Sequence, residues 1–262
     1  MATVISSKTN DKIKSLRKLN DKKYRDESGM FAVENLKIIY DALISGHTFE
    51  SLFVRKDLLN KKDLMLEFIL NKAPDYFVID EKINKSFSAL DTPSGICAVY
   101  KKESRKLNFS KSVIYLNGIN DPGNMGTILR TALAFGFENI VIDEKCADIY
   151  NPKTIQAAKD AIFKLKIEED ISCRLFKKIK EKMPILTTRM DKAEEIEDVK
   201  INRNFCLVLG NESRGVTPEI QKISDKFLKI PLSGNMESLN VAVAAGILFY
   251  SLNKQSSKAA TP

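Results

Sequence analysis

Hydrophobic positions along the chain alternate between two periods. From residue 30 to 100, short apolar runs MFAVE (30–34), SLFVR (51–55), YFVID (76–80) and GICAVY (95–100) read as strands. Between them NLKIIYDALISG (35–46) and DLLNKKDLMLEFILNK (57–72) repeat with helical spacing. Gly46 sits where a helix C-cap is expected, and DTPSG (91–95) is a turn ahead of the last strand. The pattern predicts a small α/β sandwich over roughly the first hundred residues.

Beyond residue 111 a second series begins, with SVIYLNG (112–118), NIVID (139–143), PILTT (184–188), FCLVLG (205–210) and FLKIPL (227–232) as strands and helical segments between most neighbours. Strands this uniformly apolar, separated by helices, predict a parallel sheet covered on both faces, with ligands bound beyond the carboxyl ends of its strands. KKESRKLNFSK (101–111) lacks apolar periodicity and reads as a linker. The resulting organisation is a first domain over 1–102, a linker over 103–111, a second domain over 112–254 and a flexible tail over 255–262.

Composition narrows the class. With 262 residues, 44% hydrophobic and 29% charged, and no apolar run near the roughly 20 residues of a membrane span, the chain reads as a soluble globular protein without a secretory leader, placed in the cytoplasm. Cys97, Cys146, Cys173 and Cys206 form no C-x-x-C pair, and Cys97 and Cys206 lie inside apolar strands, so buried thiols are expected rather than a metal site. The single histidine, His47, follows a helix cap and is expected to be exposed, which leaves the chemistry without a histidine base.

The net charge is +8. Much of it lies in KTNDKIKSLRKLNDKKYR (8–25), where eight Lys and Arg face two Asp, while Ile13, Leu16 and Leu19 recur at helical spacing. A basic helix face such as this is read with equal weight as a solvated surface or a nucleic-acid contact formed by Lys14, Arg17, Lys18, Lys22, Lys23 and Arg25.

Three loops at strand ends are unlike ordinary connectors. NGINDPGN (117–124) opens the helix MGTILRTALAFGF, with Asn124 expected as its cap; Met125, Ile128, Leu129, Ala132 and Phe135 form the apolar stripe. Arg130 has the small residues Gly126, Thr127 and Ala134 beside it, which leaves room for a phosphate, a carboxylate or a partner chain. LVLGNESRGVTPEI (207–220) presents Glu212 and Arg214 between Gly210 and Gly215, and restarts a helix at Thr217-Pro218. IPLSGNMESLNVAVAAGILFYSL (230–252) enters a helix whose first turn is expected to carry Ser238 and Asn240. Each loop alone reads as a capped αβ junction; the three together do not. No G-x-G-x-x-G, P-loop, nucleophile elbow or acidic metal cluster is present in the sequence.

The trio NDPGNMGTILRTALAFG, LVLGNESRGVTPEI and IPLSGNMESLNVAVAAGILFYSL resembles, in order and spacing, the three motifs of the SpoU, or TrmH-like, RNA 2'-O-ribose methyltransferases. KIKSLRKLNDKKYRDESGMFAVEN and LDTPSGICAVY resemble that family's N-terminal RNA-binding domain, with Asn35 and Ser94 departing from its pattern. The resemblance implies methyl transfer from S-adenosylmethionine to a ribose 2'-hydroxyl of structured RNA; the separate N-terminal domain favours ribosomal RNA, with the same reaction on transfer RNA as the alternative. It also implies a C-terminal trefoil knot that holds the cofactor, and a homodimer; the missing metal cluster and membrane-length apolar run give the expectation of no metal or membrane partner. By motif it assigns Asn124, Arg130, Glu212, Ser238 and Asn240 to catalysis. Gly210, Asn211, Ile230, Leu232, Met236, Ser238 and Leu239 are assigned to the cofactor, and Arg130 and Arg214 also to RNA.

Arg130 raises a chemical difficulty, because a guanidinium accepts a proton poorly at neutral pH. Either a dry, phosphate-bound site makes it the base, or it positions a phosphate and stabilises the developing alkoxide while water takes the proton. A non-catalytic RNA-binding protein that kept the fold is the principal rival reading; a nucleotide-binding metabolic enzyme would lack its fingerprint.

Overall fold

The computed structural model describes residues 1–189, 191–201, 204–235 and 237–259, with side chains to Lys254. The chain divides into two compact units, Met1–Glu103 with Asp148–Phe163, and Ser104–Ala147 with Lys164–Pro262. The first boundary falls at the start of the expected linker, but the segment 148–163 belongs to the first unit, which local patterning does not reveal.

The first unit contains β1 (Ala2–Val4), α1 (Asp11–Lys18), α2 (Lys22–Ser28), β2 (Met30–Val33), α3 (Leu36–Ile44), β3 (Ser51–Arg55), α4 (Leu64–Lys72), β4 (Tyr76–Ile79), α5 (Glu81–Phe87) and β5 (Ile96–Lys101). Its sheet has the order β1-β4-β3-β5-β2, with β5 antiparallel to both neighbours. Strand alternation gives it two buried faces. Leu52, Val54, Ala98 and Tyr100 pack with α3 and α4 residues, and Phe53, Cys97 and Val99 pack with Ile13, Leu16 and Ile83.

The expected basic stretch is two helices, because the side chain of Asp21 accepts from Lys23 N and starts a new one. Likewise the pattern over 57–72 is interrupted: Asp63 accepts from the amides of Met65 and Leu66 and begins α4 only at Leu64. His47 is 13% exposed rather than open, with Nδ1 3.7 Å from Glu103 and its ring 5.2 Å from Phe163.

Arg25 corrects an expectation of an RNA contact. Its side chain is 2% exposed, with Nε and Nη2 donating to Asp148 at 3.1 and 2.5 Å and Nη1 donating to Leu19 O at 2.7 Å. A guanidinium so enclosed satisfies the fold and is closed to a ligand.

The second unit carries β6 (Val113–Asn117), α6 (Pro122–Ala134) and β7 (Asn139–Asp143); α7 (Pro152–Ala158) and most of α8 (Ala161–Lys164) fall in the inserted segment of the first unit. Then follow β8 (Lys166–Asp170), α9 (Arg174–Lys180), β9 (Ile185–Thr188), β10 (Glu194–Glu195), β11 (Cys206–Gly210), α10 (Pro218–Gln221), β12 (Lys226–Lys229) and α11 (Val241–Ala259). The strands form one parallel sheet, β10-β12-β9-β11-β6-β7-β8. Val113, Tyr115, Cys206 and Val208 are fully buried, as the apolar runs require.

Two expectations for segment ends differ from the structure. Residues 107–109 are packed rather than linking: Leu107 N donates to Glu168, and Asn108 N donates to the buried Asn139. The last helix continues to Ala259, within the segment assigned to a flexible tail.

Candidate active site

The carboxyl ends of β6, β7 and β11 meet through a network of buried polar groups. Asp143, closing β7, accepts from Asn117 Nδ2 at 2.7 Å, from Gly118 N at 3.0 Å and from Lys145 N at 3.0 Å. Asn117, closing β6, accepts from Thr217 N at 2.7 Å through Oδ1. Asn211 donates to Gly118 O at 3.0 Å, while its Oδ1 accepts from the amides of Ser213 and Arg214 at 2.9 and 3.1 Å. The loop after β11 is therefore fastened to the loop after β6 on one side and folded over itself on the other.

Gly210 and Gly215 make that fold geometrically necessary. A Cβ on Gly210 would stand 2.4 Å from the carbonyl carbon of Gly215 and from Val216 N, and Gly215 has φ +66°. The backbones of Asn211 and Gly215 exchange two hydrogen bonds, at 3.1 and 2.8 Å, and hold Glu212 at the tip.

Asn124 does not cap α6. Asp121 does, accepting from Asn124 N at 2.7 Å ahead of Pro122 at the first helical position, an arrangement that Pro's fixed φ favours. Asn124 is thereby released for another role: its Nδ2 donates to Glu212 Oε1, and its Oδ1 accepts from Asn240 Nδ2 at 3.0 Å. Asn240 lies just before α11 rather than in its first turn, and its Oδ1 accepts from Ala242 N and Val243 N at 2.9 and 3.3 Å, as a cap does. One residue from each of the three loops thus joins a single chain, Asn240 to Asn124 to Glu212.

Arg130 is not in that chain. It lies on α6 about 9 Å further along the axis, exposed, with no hydrogen bond or ion pair among the described residues. The stripe behind it is as expected for Met125, Ile128, Leu129 and Ala132, all buried, whereas Phe135 ends the helix half-buried.

Beside the chain opens a cavity of about 320 Å³. Gly210, Asn211, Ile230, Leu232, Ser238 and Leu239 line it, which brings together the residues assigned to the cofactor, except Met236, which lies outside the described residues. Glu212 stands at the same cavity. Thr188, Arg189 and Leu228, in or beside β9 and β12 and outside the three loops, also line it and were not anticipated, nor was Val241, the first residue of α11. Apolar walls with backbone polar groups suit a purine nucleoside, and the pocket lies at the carboxyl ends of β9 and β11, where parallel sheets bind ligands. Among the described residues no group of three His, Cys, Asp or Glu could hold a metal.

The SpoU rRNA Methylase family matches residues 111–250, and the MRM3-like substrate binding domain matches residues 10–98. The chain belongs to the SpoU rRNA methylase family. Its similarity to the 23S rRNA (guanosine(2553)-2'-O)-methyltransferase RlmP of Bacillus subtilis (strain 168) is 30% identity, covering 95% of this chain and 98% of that protein. Two crystal structures share the family fold. The AdoMet-bound rRNA methyltransferase from Sinorhizobium meliloti superposes with a TM-score of 0.84 at 24% identity, covering 97% of this chain and 98% of that one. The AdoMet complex of AviRb from Streptomyces viridochromogenes also gives 0.84, at 19% identity over 94% and 98%.

Proposed function

We propose that the protein transfers a methyl group from S-adenosylmethionine to a ribose 2'-hydroxyl of ribosomal RNA. The observation that carries the reading is the hydrogen-bonded chain Asn240–Asn124–Glu212 at the mouth of a nucleoside-sized cavity. Its relationship to a ribosomal RNA 2'-O-methyltransferase, over nearly the whole length of both chains, supports the substrate.

When bound, S-adenosylmethionine supplies a sulfonium methyl group, and transfer then depends mostly on alignment of the accepting hydroxyl. Leu232, Leu239 and Ile230 wall the adenosine site, and the backbone around Gly210 offers its polar groups there. Asn124 fixes Glu212 through Oε1, which leaves Oε2, without a partner among the described residues, as an acceptor at the rim. Arg130, open to solvent, suits the positioning role better than that of a base: its planar fork grips an RNA phosphate and its charge stabilises the alkoxide as the proton passes to water. Arg214, exposed at the tip of the second loop, faces the same polyanion.

The C-terminal segment through α11 threads the family's trefoil knot in this reading. A homodimer forms through α11, where Val243, Ile247 and Tyr250 present an exposed apolar stripe at helical spacing. With ribosomal RNA as substrate the protein acts in the cytoplasm; no helix among the described residues is long and apolar enough to cross a membrane.

The test is transfer of labelled methyl from S-adenosylmethionine to total RNA from cells lacking the protein, with the product mapped by reverse-transcription stops. Incorporation at one ribosomal ribose supports the reading. Cofactor binding without transfer to free RNA or to ribosomal subunits defeats it.

A further inference from the structure

Between α1 and α2, over the sheet of the first unit, lies a cleft of about 290 Å³. Its floor is apolar: Met30, Phe53 and Val99 come from the adjacent strands β2, β3 and β5, whose register puts them on one face with Ser51. Tyr24 forms a side wall, and Ser15 and Ser51 line the cleft with hydroxyls that have no partner among the described residues.

The rim carries both charges, with Asp11, paired to Lys14 at 3.0 Å, beside a set of lysines. Lys12 lines the cleft and holds Nζ 4.8 Å from the centre of the Phe77 ring, next to Phe53 on the sheet. Lys18 stands 5.4 Å from the Tyr24 ring centre, and next to Tyr24 a shallow basin is bordered by Arg17, Lys18 and Lys23 together with Asp21 and Glu27, a net positive rim. An aromatic wall beside both an apolar hollow and a net positive rim matches a nucleotide: a flat, uncharged base and a charged backbone.

Resting on the RNA-modifying reading above, we infer that this cleft takes one unstacked base of single-stranded RNA, with the flanking phosphates over Lys12, Lys18 and Lys23. The apolar floor desolvates the faces of the base, and the Ser15 and Ser51 hydroxyls, able to donate or accept, satisfy the edge of any base. The subsite therefore distinguishes unpaired from paired RNA more strongly than it distinguishes one base from another. A duplex meets only the cations.

The chain contains no tryptophan, so Tyr24→Trp places a single reporter in the wall of the cleft. The probes are a fluorescein-labelled single-stranded octauridylate and a blunt RNA duplex, each followed by anisotropy and by tryptophan emission. The inference expects both RNAs to bind and only the single strand to quench the tryptophan. Ser15→Leu, at an exposed helix position that a larger side chain would use to fill the cleft, weakens octauridylate binding by about tenfold and leaves the duplex unchanged. Binding of octauridylate without quenching, or with unaltered affinity in Ser15→Leu, overturns the cleft while leaving the RNA reading standing. Failure of either RNA to bind, together with no methyl transfer to total RNA, overturns both.

Discussion

At the carboxyl ends of β6, β7 and β11 the polar side chains are committed: Asn117, Asp143 and Asn211 each hold two or more partners on neighbouring segments. Along the cleft of the first unit the state is reversed, with open hydroxyls at Ser15 and Ser51 and long cationic side chains on exposed helix faces. The difference follows from what each region must do. Group transfer loses rate steeply when a reacting atom is misplaced, so its scaffold is hydrogen-bonded in advance. Holding a polyanion relies on screened, long-range attraction that tolerates mobile lysines.

The two arginines give the hardest test of that contrast. Arg25 is buried against Asp148, and Arg25→Gln leaves a buried carboxylate without its cation; the expected cost is about 3–5 kcal/mol, read as a lower denaturation midpoint. Arg130 is exposed and without a partner among the described residues, so Arg130→Lys should leave the midpoint unchanged and reduce kcat on the order of 100-fold or more, because an ammonium has no planar fork. Near-normal turnover in that variant would remove the role assigned to the guanidinium.

Asp143 supplies an intermediate case, since it touches the loops and lies outside the relay itself. Asp143→Asn replaces an acceptor of three hydrogen bonds with a group that must also donate, and should lower kcat about 10- to 100-fold with little change in KM for either substrate. Equal effects on cofactor affinity and kcat would make it a simple structural residue. In the first unit, replacing Lys12, Lys18 and Lys23 together with Gln should reduce the log–log salt dependence of RNA binding by about 2, with kcat at saturating RNA preserved. An unchanged slope would place the RNA on another face.

The smallest expected effect is a pH dependence in the first unit. Burial pushes the Glu34 carboxyl up, against hydrogen bonds from Ser88 and Ala89 that pull it down, and its Oε2 is buried without a partner among the described residues. A raised carboxyl binds its proton more tightly in the folded chain, so its stabilising contribution is full below the ordinary carboxylate range and is lost as pH rises through the raised value. Glu34→Gln should therefore flatten the decline of the denaturation midpoint with rising pH; parallel curves for the two proteins would count against it.

Strands and the parallel sheet were legible because apolar runs of five residues buried on both faces leave few alternatives. The three loops were legible as a group because Gly, Pro and Asn mark turns whose geometry is local. Arg25 and Lys23 belong to the same basic stretch, and the carboxylate that sets Arg25 apart is Asp148, more than a hundred residues away, which no local pattern can show. The capping of α6 was misread for a related reason: Asp121 and Asn124 are both good caps, and only the distant Glu212 and Asn240 settle which one is otherwise engaged. Asn117 and Asp143 carried a signal that could have been used, a lone polar residue ending an apolar strand at the edge where ligands bind.

The discontinuity of the first unit has a consequence for how such a protein is inherited and dissected. Its sequence is interrupted by a stretch of the other unit, and Asp148 arrives only after that interruption. A gene fragment ending at Glu103 would encode a buried cation whose counter-charge is missing, so a single crossover cannot pass this unit intact to another protein. Expressing it alone calls for a splice that returns residues 148–163, and without it Arg25 is the place where the fragment should fail.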